Sequence, residues 1–201
     1  MARYSEKQKA ALDTLMRDDV YTCAMKIIDE EGLGALTMER IASEVGVSRG
    51  TLYNYFDDKD AVVDFVETRT FEPVLEAIAE VSASDLDPDL KLTRIAEWIF
   101  TSVYEDSGLI IALSSTRQVA NKCGGKLERK RRAARAIEEI IRHGIEEGRF
   151  KKLPPVVVTE IFVGSLTGMI ESMAINGVFY RADAVVPTLM ELFLGGLRAS
   201  D

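Results

Sequence analysis

The stretch Thr37-Met-Glu-Arg-Ile-Ala-Ser-Glu-Val-Gly-Val-Ser-Arg-Gly-Thr-Leu-Tyr-Asn-Tyr-Phe56 carries the most structural information in this chain. Thr37 and Ser48 are N-cap residue types, each standing just ahead of a short run with helical periodicity. The first run turns Ile41, Ala42 and Val45 inward and ends at Gly46, which permits the positive φ needed to leave a helix. Gly46-Val47-Ser48 has the connection length of a helix-turn-helix, with Val47 filling the space between the two helices. The second helix is expected to run to about Phe56, with Leu52 and Phe56 one turn apart and facing the core. At about 100° per residue, its opposite side centres on Gly50 and Asn54. Arg49 and Tyr53 flank that line on one side, Thr51 and Tyr55 on the other.

Such a face suits double-stranded DNA. Arginine reads guanine, asparagine reads adenine, and hydroxyls reach phosphates. Gly50 lets the backbone come close. Thr37 and Ser48 cap helix N-termini, which are themselves anion sites. Lys59, at the start of the next helix, is placed to clamp a phosphate. Tyr53 or Tyr55 taken alone reads as packing of a small module; the turn, the caps and the polar face together read as DNA recognition.

Outward from this motif, helical periodicity dominates and no stretch alternates like a strand. Ser5 to Gln8 has capping-box spacing and opens a first helical piece. Asp18 or Asp19 either caps a new helix or sits within a continuous one, and Val20, Ala24, Ile27 and Ile28 form a stripe ending at Gly32. Asp57 or Asp58 caps a longer helix, followed by a Ser- and Asp-rich linker from Val81 to Asp87. Asp87-Pro88 opens another helix. Further helices are expected over 107–119, 125–147, 156–177 and 182–198. The expected fold is all-α with about nine helices: an N-terminal helix-turn-helix domain over 1–66, including a leader over 1–17, and a helical ligand-binding and dimerisation domain over 67–201.

Composition limits the chemistry. The 201 residues are 47% hydrophobic and 29% charged, the balance of a globular protein, with a net charge of -8. A bulk polycation is excluded, though a local basic patch is not. Cys23 and Cys123 are too few for a disulfide scaffold or a Cys-rich zinc site. The start, Met1 to Ala10, is polar and unlike a signal peptide, and no apolar run reaches the roughly 18 residues of a membrane span. A reduced, cytoplasmic protein with no membrane partner, metal or cofactor is expected. His143 is the only histidine, and no nucleophile elbow accompanies any serine. It reads as a C-terminal helix charge. Gly124-Gly125-Lys126 lacks the earlier glycine and following hydroxyl of a phosphate loop. An enzyme is not expected.

The run Gly46-Val-Ser-Arg-Gly-Thr-Leu-Tyr-Asn-Tyr-Phe-Asp-Asp-Lys59 resembles the DNA-binding signature of the TetR family of bacterial one-component repressors. Leu36-Thr37 and Ile41-Ala42 match the family's preceding helix, and the resemblance covers roughly residues 19 to 66. It implies an all-helical homodimer that binds a palindromic operator and is released by a small-molecule inducer, apolar or amphipathic. Thr37, Tyr53, Tyr55 and Lys59 would match phosphate-contacting positions, and Arg49, Thr51 and Asn54 base-edge positions. Asn54 departs from the residues common at its place, so base preference does not carry over. The leader is either a DNA-contacting arm using Arg3, Lys7 and Lys9 or an extra packed helix turn, the latter preferred.

Residues 1 to 70 hold nine Lys or Arg against fourteen Asp or Glu, net -5, whereas a DNA-binding domain usually has a basic footprint. Asp29, Glu30 and Glu31 must therefore lie away from the duplex. The most basic segment, Lys122 to Arg135, spreads its charges around a whole helix and reads as a solvated face. In the C-terminal half, Trp98, Phe100, Tyr104, Met169 and Met173 either line an apolar inducer pocket or form ordinary core. Gly164 and Gly168, on an apolar helix, permit close approach of a second copy in a four-helix interface. A competing reading is a helical small-molecule binder, or an enzyme, with a vestigial helix-turn-helix.

Overall fold

The computed structural model describes residues 6–105 and 124–199; the helix expected over 107–119, Ser5 and Cys123 lie outside them. Among the described residues there are eight α-helices and one short 3-10 turn. They are α1 (Glu6–Glu31), α2 (Met38–Val45), α3 (Arg49–Tyr53), α4 (Lys59–Ala83), α5 (Pro88–Glu105), α6 (Gly124–Glu146), α7 (Pro155–Asn176) and α8 (Ala182–Leu197), with the 3-10 turn at Leu33–Ala35. Contacts divide the chain into two compact units, Met1–Thr70 and Phe71–Asp201, and α4 contributes residues to both.

In the first unit α1 is continuous through Asp18 and Asp19. Val20, Ala24, Ile27 and Ile28 are its buried stripe. The leader does not pack along its length: residues 6–12 are exposed, as is Leu15. Only near Arg17 does it close on the module, where the guanidinium lies 5.1 Å from the Phe56 ring and 5.7 Å from the Phe65 ring. The core is completed by Leu33, Leu36, Ile41, Ala42, Leu52, Phe56, Val62, Val63 and Val66. On the α1–α4 side, Tyr21 shares a hydrogen bond with Thr70, and Arg69 pairs with Asp18 while stacking on the Tyr21 ring.

In the second unit α5 packs on α6 and α8, and α6 on α7. Leu92, Ile95, Phe100, Ile137, Ile141, Phe162 and Leu194 form its centre. Phe162 and Phe193 meet at 4.8 Å between ring centroids. The expected linker is shorter than its composition suggested: α4 runs to Ala83, and both the backbone N–H and the hydroxyl of Ser84 donate to the Val81 carbonyl. Asp87 precedes Pro88, and its carboxylate pairs with Arg149 at 2.7 Å. After α6 the chain turns sharply. The N–H groups of Arg149 and Phe150 both donate to the Gly144 carbonyl, and the Phe150 ring lies so close over Gly144 that a Cβ there would sit 3.1 Å or less from it. Beyond the turn an isolated antiparallel bridge joins Phe150 to Arg198.

In the described part of the basic run Lys130, Arg131, Arg132 and Arg135 are exposed, with Arg131 near Glu128 and Arg132 on Glu72 at 3.0 Å. Arg129 departs from that reading, because it is buried. By length and composition α7 is long and apolar enough to cross a membrane, and only 28% of its most apolar window is buried. No unbroken apolar run of about 18 residues lies within it, because Glu160 and Glu171 bound its central stretch, 161–170.

Candidate nucleic-acid interface

Thr37, extended at φ -134°, accepts a hydrogen bond from the Arg40 N–H at 3.2 Å and starts α2. Gly46 leaves α2 at φ 78°, a left-handed conformation that glycine adopts without Cβ strain. The Val47 N–H still donates to the Ala42 carbonyl at 2.9 Å, which locks the turn. Ser48 accepts from the Thr51 N–H at 3.0 Å and starts α3. Its hydroxyl also meets the Thr51 hydroxyl at 2.8 Å, so these two polar groups serve each other in the free protein.

The second helix is shorter than the spacing predicted. It ends at Tyr53, and Asn54 is its C-cap. The reason is local: the N–H groups of Tyr55 and Phe56 both donate to the Leu52 carbonyl, tightening the chain into a turn that drops Phe56 into the core. Leu52 is fully buried beneath. Arg49, Gly50, Tyr53 and Asn54 are exposed, while Thr51 and Tyr55 are half-buried. A Cβ on Gly50 would meet only the Ser48 hydroxyl, at 3.8 Å. Nothing inside the molecule requires glycine there, so the space above it is open to a partner.

Two cations are not where a bare motif puts them. Lys59 is half-buried, and its ammonium donates to the Leu33 carbonyl at 2.7 Å, tying α4 to the 3-10 turn. The Arg49 guanidinium pairs with Glu39 of α2 at 2.6 Å between Nη2 and Oε1. Neither partnership is readable from spacing, because each joins residues that only the fold brings together. Glu31 is also paired: Arg40 forks onto both of its oxygens. That hydrogen-bonded contact holds the Glu31 carboxyl below its ordinary value.

Residues 21–65 match the family model described as bacterial regulatory proteins, tetR family. Over this module the chain is similar to the TetR family. An HTH-type transcriptional regulator of Staphylococcus aureus (strain bovine RF122 / ET3-1) is 30% identical over 80 residues, covering 40% of this chain and 43% of that protein. The match thus spans less than half the length of this relative. Across the whole fold, a TetR transcription regulator from Haloarcula marismortui ATCC 43049 superposes with TM-score 0.77 at 21% identity, over 92% of this chain and 100% of that one. The regulator FadR from Bacillus subtilis, solved in complex with stearoyl-CoA, gives TM-score 0.75 at 20% identity, over 89% and 98% of the two chains. At those identities the likeness is one of fold.

In the second unit, an open cleft of about 680 Å³ lies between α5 and the start of α8; Thr93, Glu97, Tyr104, Glu105, Asp183 and Val186 are on its walls. Of the five residues considered for a pocket, the structure brings only Tyr104 to this cleft. Phe100 and Met173 are buried in the core, Met169 is packed half-buried against it, and Trp98 is 48% exposed elsewhere on α5. Helical periodicity cannot tell a lining residue from a core residue, since both recur on the inner face. Gly164 and Gly168 face open space, with nothing within 4 Å of a Cβ at either. Val157, Ile161 and Ile175 of α7 and Leu192 of α8 are exposed apolar residues. His143 sits in the last turn of α6, its Nε2 3.3 Å from Glu147. Among the described residues, no group of three His, Cys, Asp or Glu could hold a metal ion.

Proposed function

We propose that this chain is a TetR-family, cytoplasmic, DNA-binding transcriptional repressor that works as a homodimer and is released from a palindromic operator by a small apolar or amphipathic inducer. The observation that carries this reading is the pair of capped short helices around Gly46, which presents Arg49, Gly50, Tyr53 and Asn54 to solvent while Leu52 and Phe56 hold the element from behind. Arg49, Thr51 and Asn54 read base edges, Gly50 admits the backbone, and Thr37, Ser48, Tyr53 and Tyr55 serve phosphates. Lys59 serves the site by fixing the start of α4 rather than as a free cation.

The outward apolar residues of α7 and α8 support dimerisation, because an exposed apolar face of this kind is a liability in a lone protomer. A second copy, rather than lipid, covers that face. Two protomers then place their α3 helices in successive major grooves about one helical turn apart. The FadR fold in complex with stearoyl-CoA makes a long-chain acyl thioester the first inducer to screen.

Binding of the full chain to duplex DNA from upstream of its own gene, followed by fluorescence anisotropy, tests the reading. Tyr53→Ala is expected to weaken binding to every sequence, and Arg49→Ala to relax base preference by about 1–3 kcal/mol at one position per half-site. Wild-type affinity in both variants would refute the assignment of this face to DNA.

A further inference from the structure

Glu39 has no place in the recognition scheme above, and its position is unusual for an interface with a polyanion. It lies in the first turn of α2, exposed, and its carboxylate holds the first residue of α3 across the Gly46 turn at 2.6 Å. We propose that Glu39 is a specificity-determining positioning residue: it withholds the Arg49 guanidinium from DNA phosphates and releases it to a base edge. The proposal rests on the reading of this face as the DNA-binding one.

The physical basis is competition for one guanidinium. A phosphate offers Arg49 a contact available at every step of any duplex, whereas guanine offers two acceptors in a geometry that the arginine fork matches. A carboxylate already on the guanidinium sets a threshold. An exposed ion pair shifts such an equilibrium by no more than about fivefold, enough to suppress the weaker, sequence-blind contact and too little to block the stronger one. Four other cations of this unit are committed elsewhere: Arg17 to Asp13, Arg40 to Glu31, Arg69 to Asp18 and Lys59 to the Leu33 carbonyl. Among the cations of this unit, Arg49 is the one on the outward face of α3, so the Glu39–Arg49 pair bears directly on how that face meets DNA.

A local role would explain an acid here without any reference to DNA, because a carboxylate in a first helical turn favours the helix dipole. That role is indifferent to base sequence, which separates the two explanations. Glu44 supplies the comparison. It is on the same helix but borders a different hollow, with Cys23, Lys26 and Arg40, and its charge adds to burial in raising the Cys23 thiol.

The test uses the full chain and two duplexes: one selected by the wild type from a random pool, and one scrambled. Glu39→Gln is expected to tighten binding to the scrambled duplex by about two- to fivefold, to steepen its salt slope by up to about 0.9, and to leave the selected duplex nearly unchanged. Selectivity then falls. Glu44→Gln is expected to move both duplexes by the same factor, and Glu39→Asp to restore part of the wild-type ratio. In an Arg49→Ala background, Glu39→Gln is expected to have no effect on the ratio. The proposal is overturned if Glu39→Gln and Glu44→Gln act alike, or if the effect persists without Arg49. A wild type that selects no sequence refutes the DNA-binding reading and this proposal with it; a wild type that selects normally while Glu39→Gln changes nothing refutes this proposal alone.

Discussion

Replacing Gly164 and Gly168 together by leucine separates the stability of the protomer from that of the dimer. Both glycines are in the middle of α7, and a Cβ at either meets nothing within 4 Å. Within one chain the substitution therefore has no clash to overcome. It gains about 0.5–1 kcal/mol per site, because glycine is a poor helix former. In a symmetric dimer across α7 and α8 the sign reverses. Each glycine marks a place where a partner backbone can approach, and inserting a side chain into a packed contact costs about 1–3 kcal/mol. Two such sites cost about 2–6 kcal/mol, a weakening of the dimer by at least about 30-fold. Sedimentation velocity over a concentration series, with unfolding followed at high and low protein concentration, reads both quantities. The expected result is a well-folded protomer with impaired association. Glutamine at the same two positions is expected to act alike, since bulk and not apolarity is the cause. A double-leucine protein that associates as tightly as the wild type would show that these glycines are not at the contact.

Gly144→Ala is expected to destabilise the second unit by about 1–2 kcal/mol in chemical denaturation, the net of overpacking against the Phe150 ring and the helix propensity gained; the loss should vanish in a Phe150→Ala background. Lys59→Met is expected to lower stability by about 1–2 kcal/mol through loss of a charged hydrogen bond to the Leu33 carbonyl, while leaving the salt slope of DNA binding unchanged. A slope reduced by about one would mean that Lys59 leaves Leu33 for a phosphate. Pro73 removes one backbone hydrogen bond inside α4, the helix common to both units. Pro73→Ala is expected to change the ratio of operator affinities with and without inducer, by some part of the usual 1–3 kcal/mol of coupling, more than it changes affinity without inducer; an unchanged ratio in paired titrations would remove this proline from the mechanism.

What the chain discloses before folding is what depends on near neighbours. Thr37, Gly46 and Ser48 each act within four residues of themselves, and each does in the structure what its type and spacing imply. The inward positions of Leu52 and Phe56 follow from the same local geometry. The end of α3 at Tyr53 was not legible, because it turns on which of two neighbouring N–H groups captures the Leu52 carbonyl, and both do. Contacts through space were hidden altogether. Glu39 and Arg49 are ten positions apart, Leu33 and Lys59 twenty-six, and no periodicity links either pair. The burial of Arg129 within a strongly basic run was hidden for the same reason, since a charge pattern specifies a face only when the neighbouring helix is known.

The open space above Gly50 has an evolutionary consequence. Residues that hold α3 in place, Leu52 below and Ser48 at its start, are different from those that face outward at positions 49, 50, 53 and 54. A mutation in the outward set therefore meets little resistance from the fold, and at Gly50 a new Cβ would meet only a serine hydroxyl. Drift at these positions can retarget the protein to another operator without first eroding its stability. A library randomised at 49, 50 and 54 should consist largely of folded proteins, a starting population from which new DNA preferences are selected rather than rescued.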